Sequence, residues 1–298
     1  MKRVLICGGS GFVGRFLTRH LQENGYEVRL LSRQKNSLYP LEPDGCLPLA
    51  AVQDLDAVIN LSGETIGQLW SPKVKQEILS SRLQATERIV RSLQKYQQET
   101  ALPKVFVNAS AIGYYGAITP ERKTEADGRG KGFLAEVCDL WEKKAQTASS
   151  IGLRVLCCRF GVVLGPGGGM LEKLELACRL KTAGTIGSGK QKLSWIHYKD
   201  LVRGIQFGME NSQLEGAVNF TAPTHPSMQQ FMDAMAHRFG GRSWSRLPAF
   251  LVRRLGGEMA EELLLADQQI YPQKLEQAGF SFLYPKIEGC LQDIYPGA

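Results

Sequence analysis

The segment Val4-Leu5-Ile6-Cys7-Gly8-Gly9-Ser10-Gly11-Phe12-Val13-Gly14 decides the fold of this chain. Its first four residues are apolar and have the composition of a short buried strand. The apolar residues that follow recur at helical spacing and would form the inner side of a helix; they are Phe12, Val13, Phe16, Leu17 and Leu21. The segment therefore predicts a strand, a turn and a helix in succession, the unit from which parallel α/β sheets are built.

Three glycines in the turn, Gly8, Gly11 and Gly14, form the pattern G-x-x-G-x-x-G. In such a unit one glycine permits the tight turn, one lets the backbone approach a pyrophosphate, and one lets the helix pack on the strand. The first amides of the helix also attract phosphate charge. We therefore predict a dinucleotide site in which the backbone from Ser10 to Val13, Phe12 included, holds the diphosphate.

The second predicted strand ends in Leu31-Ser32-Arg33. Enzymes that prefer NAD usually place an acid at this distance, where it bonds the hydroxyls of the adenosine ribose. Here Arg33 offers a cation to a 2′-phosphate and Ser32 offers a hydrogen bond, so the sequence favours NADP(H) over NAD. The alternative is that Arg33 is a solvated surface arginine.

Short apolar runs alternate with helical stretches in the first half of the chain, as is typical of a parallel sheet covered by helices. We predict strands at residues 2–7, 26–31, 57–61, 104–109 and 153–159, and the clearest helices at 73–96 and 133–149. The predicted fold is α/β, a Rossmann doubly wound parallel sheet with a smaller, mostly helical C-terminal substrate region. The NADP-binding domain is predicted to span residues 1–165, and the segment from about 190 to 212 is predicted to return to it. Residues 166–298 would face the substrate, and the C-terminal part would begin near 222.

Composition limits the classes of function. The chain has 298 residues, 43% of them hydrophobic, and a net charge of +7. Its basic residues are interleaved with acids, so we expect a phosphate-bearing small molecule as partner, and neither nucleic acid nor a membrane. No apolar run approaches the roughly 20 residues that span a bilayer, and we expect a cytoplasmic protein. The seven cysteines are scattered, form no C-x-x-C pair and do not cluster with the histidines, so no metal site is predicted.

Motifs along the whole chain resemble those of the extended short-chain dehydrogenase/reductase superfamily. Within it the chain is similar to an atypical subgroup labelled epimerase family and associated with nucleotide-sugar epimerases. The motifs are Asn60 to Glu64, Ser81-Arg82, Ser110 to Gly116, Trp141-Glu142, Arg159 to Gly165, Gly187 to Gly189, Trp195 to Asp200 and Pro272 to Gly279.

The resemblance implies cofactor contacts. It implies that Leu61, Ser62 and Gly63 line the adenine-ribose side, and that the backbone of Val163 meets the nicotinamide amide. The resemblance also implies a homodimer built from two outer helices, such as those predicted at 73–96 and 133–149.

Two further cofactor contacts, Glu77 and Arg82, are implied in the same way. Arg82 can also be judged from its position, because it follows the apolar Ile78 by four residues and so lies on or beside the buried stripe of its helix. A charge there needs a partner. Either a cofactor oxygen or Glu77 would serve.

The catalytic pattern of the superfamily is incomplete. Typical members use a Ser or Thr to polarise the substrate oxygen, and a Tyr with a Lys four residues later that lowers the pKa of the phenol. The corresponding segment, residues 133–142, contains neither the Tyr nor its Lys. Ser110 stands at the position of the hydroxyl, and Tyr114 is a candidate general acid whose alternative role is packing or substrate stacking.

Other titratable residues near the predicted cleft have two interpretations each. Glu121, Glu125 and Asp127 lie in the loop before the altered helix, where a buried one would act as base and a solvated one would not. His197 is a candidate for the cleft or a hydrogen-bonded structural histidine. Asp200 is predicted to cap a helix that begins at Leu201.

Three hypotheses of function follow. The first is an NADP-dependent oxidoreductase or epimerase that acts on a sugar-like, nucleotide-linked substrate. The second is a non-catalytic NADPH-binding sensor or regulator, related to cell division as some relatives are, because the Tyr and Lys are missing. The third, nucleic-acid binding, rests on net charge alone.

Overall fold

The computed structural model describes residues 2–31, 39–119, 121–243 and 245–297. In this part of the chain the strands are β1 (Arg3–Cys7), β2 (Glu27–Leu31), β3 (Ala57–Asn60), β4 (Val105–Ala111), β5 (Arg154–Phe160), β6 (Val162–Leu164), β7 (Gly184–Ile186), β8 (Trp195–His197), β9 (Gly216–Phe220) and β10 (Ser245–Leu247). A parallel six-stranded sheet has the order β2-β1-β3-β4-β5-β9. Two parallel pairs, β6 with β8 and β7 with β10, lie outside it.

The helices alternate with the strands in the first half and dominate the C-terminal part. They are α1 (Phe12–Glu23), α2 (Leu49–Val52), α3 (Pro72–Lys95), α4 (Phe133–Gln146), α5 (Gly169–Arg179), α6 (Tyr198–Glu210), α7 (Met228–Arg238), α8 (Ala249–Met259), α9 (Gln273–Gln277) and α10 (Ile287–Ile294). Short 3₁₀ turns cover Ile112–Tyr115 and Thr147–Ile151, and a π-helical turn covers Ala260–Leu264. Within the described ranges, no helix is long and apolar enough to cross a bilayer.

The alternation of side chains along β1 explains why the sheet is covered on both faces. Val4 and Ile6 pack in the core that also contains Leu17 of α1 and Ile205 of α6. Leu5 points to the opposite face, where α2, α3 and the turn after α4 supply the core. A parallel strand buried on both sides needs this continuous apolar composition, because neither face meets water.

The predicted Rossmann-type sheet is confirmed, and each of the five predicted strands is present with ends that differ by at most two residues. The strand Gly216–Phe220 was missed. It lies in the region assigned to substrate, yet it pairs with β5 and forms the edge of the sheet. Its sequence GAVNF contains a glycine and an asparagine in five residues, so its apolar signal was weak. The division into domains near residue 165 stays a prediction.

A carboxylate from the C-terminal region caps helix α4. Glu262 accepts hydrogen bonds from the backbone amides of Phe133 (2.7 Å) and Leu134 (2.8 Å), more than 120 residues earlier in the chain. A side chain at Gly132 would collide with this carboxylate, since a Cβ there would lie 2.6 Å from its Oε1. The cap satisfies two amides that α4 leaves unpaired and ties α4 to the C-terminal region.

We expect Glu262→Ala to lower the free energy of unfolding by about 1–2 kcal/mol, the usual cost of losing an N-cap acceptor. The neighbouring Glu261 is a matched control, because it is exposed and, among the residues that the structure describes, pairs only with exposed Arg253. Glu261→Ala is expected to cost less than about 1 kcal/mol. Urea unfolding of the three proteins measures both. Equal losses for the two variants would contradict the capping role.

Candidate functional site

The crevice of the sheet lies between β1 and β3. From β1 the chain passes to β2 on one side and then returns to β3 on the other, so the order reverses at β1. In open parallel α/β sheets the carboxyl ends of the strands at such a reversal form the ligand-binding crevice. The glycine turn follows β1 and the Leu61 loop follows β3, so both predicted cofactor segments lie at this edge.

The glycine turn has the close contacts that its sequence predicted. Gly8 has φ +84°, and a Cβ on it would lie 2.9 Å from the carbonyl carbon of Leu61. A Cβ on Gly14 would lie 2.4 Å from the Gly8 oxygen, which shows how closely α1 packs on the turn. Gly11 precedes α1, and its amide donates to the Gly8 carbonyl (3.1 Å). The turn therefore brings backbone rather than side chains to the crevice.

Gly9, which the motif analysis did not single out, is equally constrained. A Cβ on Gly9 would lie 2.5 Å from a methyl carbon of Leu30. Beyond the turn, the ring of Phe12 fills the space beside Gly168, where a Cβ would come within 2.4 Å of it. The side chain of Arg15 donates to the Gly167 carbonyl (3.0 Å), so the 166–169 loop packs beside the start of α1.

The loop after β3 is held by polar contacts at its base. The amide of Leu61 donates to the Cys7 carbonyl (2.8 Å), and the amide of Ser62 donates to the Asn60 side chain (3.1 Å). The Ser81 hydroxyl, on α3, accepts from the Glu64 amide (3.0 Å). These bonds fix the loop against β1 and α3, beside the glycine turn.

Arg82 reaches this loop from α3. Its Nη1 donates to the carbonyls of Glu64 (3.0 Å) and Ile78 (2.9 Å), and its guanidinium lies 5.1 Å from the ring centre of Trp141. Burial lowers the pKa of the guanidinium. In the described ranges no carboxylate lies within 4 Å of it, so the internal ion pair with Glu77 is not formed.

The other sequence-predicted cofactor residues are placed as follows. Glu77 is exposed and lies 3.9 Å from Lys73, one turn earlier on α3. Val163 lies on β6, opposite Ile196 of β8. Ser32 and Arg33 lie outside the residues that the structure describes.

Ser110, the predicted catalytic hydroxyl, belongs to a buried polar network. It donates to Glu142 Oε1 (2.6 Å) and is 3% exposed. Arg159 holds both oxygens of the same carboxylate, through Nε (2.8 Å) and Nη2 (2.8 Å). The side chains of this ion pair are 4% and 13% exposed for Arg159 and Glu142. The Ser110 hydroxyl is thus hydrogen-bonded to a buried ion pair and does not face the crevice as a free hydroxyl.

The same arginine engages both tyrosines of the turn after β4. Its guanidinium stacks on the ring of Tyr114 at 3.5 Å and donates to the Tyr115 hydroxyl (2.8 Å). Tyr115 in turn donates to Asn219 of β9 (2.8 Å). Burial raises the pKa of Tyr115 to about 12, although Arg159 opposes the shift. Tyr114 therefore has the packing contact that was the alternative to an acid role.

Sequence reasoning missed Glu142, Arg159, Tyr115 and Asn219 as a unit. A signal was present for one of them, since Arg159 interrupts the apolar run Leu156-Cys157-Cys158 and a charge in a buried strand requires a partner. Nothing in the sequence indicated which acid would supply it. The loop acids behave as ordinary structural groups: Glu121 is exposed, Glu125 accepts amides of Asn219 and Lys274, and Asp127 accepts from Thr124.

His197, not Asp200, caps helix α6. The His197 side chain accepts from the Lys199 amide (3.1 Å). Asp200 lies inside the first turn, is fully buried and accepts from the amides of Leu283 and Tyr284 (2.8 Å each), so its predicted capping role was wrong. The helix begins at Tyr198, three residues earlier than predicted, because the His197 side chain caps it at the Lys199 amide.

A family model described as NAD dependent epimerase/dehydratase family matches residues 4–220. The chain belongs to this family. A second model, a domain of unknown function called DUF1731, matches residues 247–294, which include α8 to α10. The predicted resemblance to the epimerase family is therefore confirmed.

Relatives within the family share the whole length of the chain. The epimerase family protein YfhF of Bacillus subtilis is 36% identical over 299 residues, which cover 98% of this chain and 97% of the relative. The crystal structure of human epimerase family protein SDR39U1 with NADPH has a TM-score of 0.88 and 30% identity, and covers 99% of this chain and 100% of that chain. The nucleoside-diphosphate sugar epimerase of Corynebacterium glutamicum has a TM-score of 0.75 and 27% identity; 99% of this chain aligns with 58% of that one.

His197 makes the stability of this epimerase family member depend on pH. The ring is fully buried, and burial lowers its pKa to about 4 from the ordinary value of about 6.5. Its Nε2 lies 3.2 Å from Asp293 Oδ2 without hydrogen-bond alignment, and the rings of Tyr198 and Tyr284 and the amine of Lys199 surround it.

Between these two pKa values the unfolded chain binds a proton that the folded protein does not. Stability should therefore fall as the pH drops from about 7 to 4, by up to about 3 kcal/mol from this residue. We expect His197→Gln to flatten the pH dependence of the unfolding free energy in this range, and His237→Gln, at an exposed position, to leave it unchanged. Parallel curves for wild type and His197→Gln would refute the assignment.

Proposed function

We propose that this protein binds NADP(H) across the crevice between β1 and β3. The observation that carries the proposal is the fit of the glycine turn to a phosphate group. Side chains are sterically excluded at Gly8 and Gly14. Helix α1 begins at Phe12 after Gly11, which supplies no side-chain cap, so in the described part of the chain its first amides have no side-chain acceptor. Free amides at the positive end of a helix are the ligands that a diphosphate requires.

The phosphorylated form of the cofactor is supported by two observations. Arg33 follows the second strand where NAD-specific enzymes carry an acid, and Ser32 precedes it. The similar human protein SDR39U1 was crystallised with NADPH. A guanidinium pairs well with a 2′-phosphate because its planar fork donates two parallel hydrogen bonds.

We further propose that the protein is a hydride-transfer enzyme, an epimerase or oxidoreductase that acts on a sugar-like, nucleotide-linked substrate. Membership of the epimerase family and likeness to the C. glutamicum nucleoside-diphosphate sugar epimerase support this reaction class. When bound, the nicotinamide ring supplies or accepts the hydride. Ser110 and Tyr114 are proposed to meet the substrate oxygen, with Ser110 exchanging its bond to Glu142 for one to the substrate.

One observation favours a second function, that of a non-catalytic NADPH sensor. The hydroxyls of Ser110 and Tyr115 are bonded within the Glu142–Arg159 network. A protein that only binds the cofactor does not need a free acid at this place. Its output would be a change in affinity for another protein on NADPH binding.

The binding test is calorimetry of the purified protein with NADPH, NADP⁺, NADH and NAD⁺. We expect binding of the phosphorylated forms at least about 10-fold tighter, because a charge-assisted pair contributes roughly 1.5–3 kcal/mol. Arg33→Ala should remove this preference, whereas Arg15→Ala, which removes an exposed arginine near the turn, should retain it. Absence of binding by any dinucleotide would contradict the proposal.

Turnover separates the two functions. The NADP⁺-loaded protein is mixed with a panel of nucleoside-diphosphate sugars, and the absorbance of the reduced nicotinamide and the stereochemistry of the recovered sugar are followed. Transient reduction or an epimerised product supports the enzyme. Tight binding with neither signal over the whole panel supports the sensor.

A further inference from the structure

Basic and acidic residues are interleaved over most of the chain, but not in residues 234–257. This segment contains neither aspartate nor glutamate, and it contains five arginines: Arg238, Arg242, Arg246, Arg253 and Arg254. Its second half includes β10 and the part of α8 that precedes Gly257. Charge of one sign on one part of a surface favours a partner of the opposite sign.

Helix α8 exposes large apolar side chains within this basic segment. Phe250 is 65% exposed, Leu251 36% and Leu255 74%, whereas Val252 is the buried residue of the helix. Leu251 and Leu255 lie one turn apart, as do Phe250 and Arg254, so these four residues share one side of the helix. We call this side the α8 face. Adjacent exposed apolar side chains with polar neighbours are typical of interaction sites.

The exposure of the α8 face does not come from a loose end, because the helix is held on both sides. Before it, the Gly187 amide donates to the Leu247 carbonyl (2.9 Å), and β10 pairs with β7. After it, the chain turns at Gly257, where φ is +53°, and Glu258 pairs with Lys75 of α3 (2.7 Å). The α8 face is therefore a preformed surface, which lowers the entropic cost of binding a partner.

The two arginines of α8 differ in their partners. Arg253 Nε donates to Glu261 (2.8 Å), so its charge is already paired. Arg254 is exposed, and in the part of the chain that the structure describes no carboxylate lies within 4 Å of its guanidinium. A guanidinium binds a carboxylate well because its planar fork donates two parallel hydrogen bonds. The α8 face thus offers apolar contact area around one uncompensated charge.

Two other occupants match these charges less well than an acidic protein segment does. A twofold contact between two copies of the chain would bring the arginines of both copies to one interface, where like charges repel. An anionic membrane would also meet Glu258 and Glu261, exposed carboxylates near the end of α8 that lipid phosphates repel. A protein segment can place one carboxylate against Arg254 and leave both glutamates in solvent.

We infer that the α8 face is a docking surface for another protein, and that it takes an amphipathic helix with an acidic border. The apolar stripe of the partner helix packs on Phe250, Leu251 and Leu255, and one of its carboxylates binds Arg254. The inference does not depend on the proposed binding of NADP(H).

The test uses two synthetic peptides as probes. The first is a fluorescently labelled helical peptide of about five turns, with a leucine stripe bordered by glutamates; the second has lysine in place of each glutamate. Fluorescence anisotropy measures the binding of each peptide to the full chain. We expect the glutamate peptide to bind at least about 10-fold tighter, because its charges complement Arg254.

Two variants remove the two parts of the α8 face. Arg254→Glu should weaken binding of the glutamate peptide at least about 10-fold, because it replaces attraction by repulsion. Leu255→Ser should weaken it about 10-fold, because an apolar contact is lost.

The matched controls are Arg19→Glu and Leu283→Ser, which make the same changes at exposed positions on other parts of the chain. Both should leave the affinity within about twofold of wild type, as is usual for exposed positions without a contact. Thermal unfolding shows that all four variants fold.

A preference for the glutamate peptide that Arg254→Glu and Leu255→Ser reduce, and that the controls retain, supports the inference. Equal affinity for the two peptides, no binding of either at millimolar concentration, or an equal loss in the controls overturns it.

Two further measurements test the other occupants with the same variants. Co-sedimentation with vesicles of phosphatidylcholine and phosphatidylglycerol that Leu255→Ser abolishes, without a preference between the peptides, would assign the α8 face to a membrane. A dimer in analytical ultracentrifugation that Leu255→Ser dissociates would assign it to a second copy of the chain. Either result overturns the inference.

Discussion

The crevice depends on one steric constraint, the contact of backbone with backbone between the glycine turn and the loop after β3. A Cβ on Gly8 would lie 2.9 Å from the Leu61 carbonyl carbon, and one on Gly14 would lie 2.4 Å from the Gly8 oxygen. The Leu61 amide meanwhile donates to the Cys7 carbonyl, which extends the pairing of β1 and β3 by one more bond. Because side chains are excluded here, the turn keeps its shape without polar side-chain contacts. The amides that begin α1 are the groups proposed to bind the diphosphate.

A second constraint acts further along the sheet. Arg159 places a charge inside a parallel sheet, where solvation is lost and an unpaired ion would be strongly destabilising. Glu142 compensates this charge by accepting hydrogen bonds from Arg159 at both carboxylate oxygens. Ser110, Tyr114 and Tyr115 surround the pair. The pair also joins α4 to β5. The Ser110 hydroxyl, which stands at the position of the superfamily's catalytic hydroxyl, here donates to the carboxylate of this structural ion pair.

Sequence predicted what is encoded locally. The glycine turn, the five strands and the long helices followed from periodicity and from turn chemistry within about ten residues. Arg82 was recognised as a charge on a buried stripe, and its partner was left open between Glu77 and a ligand. Contacts between distant segments were not predictable in this way. Glu262 caps α4 from 129 residues away, and Asn219 reaches Tyr115 across 104 residues. The sequence around each of these residues carries no sign of its partner.

The pKa of Tyr115 shows why a phenol in this protein does not replace the missing Tyr and Lys pair. Burial raises its pKa to about 12, and the nearby Arg159 opposes this shift without reversing it. Efficient proton transfer at neutral pH requires a group whose pKa lies much closer to 7. Tyr115 therefore stays protonated, and its hydroxyl donates a structural hydrogen bond to Asn219. The guanidinium of Arg82 stacks on Trp141 of α4 and donates to the Glu64 carbonyl in the loop after β3. The phenol of Tyr115 is thus suited to packing, so the proposed hydride-transfer reaction would have to take its proton from Ser110, from Tyr114, from the substrate or from water.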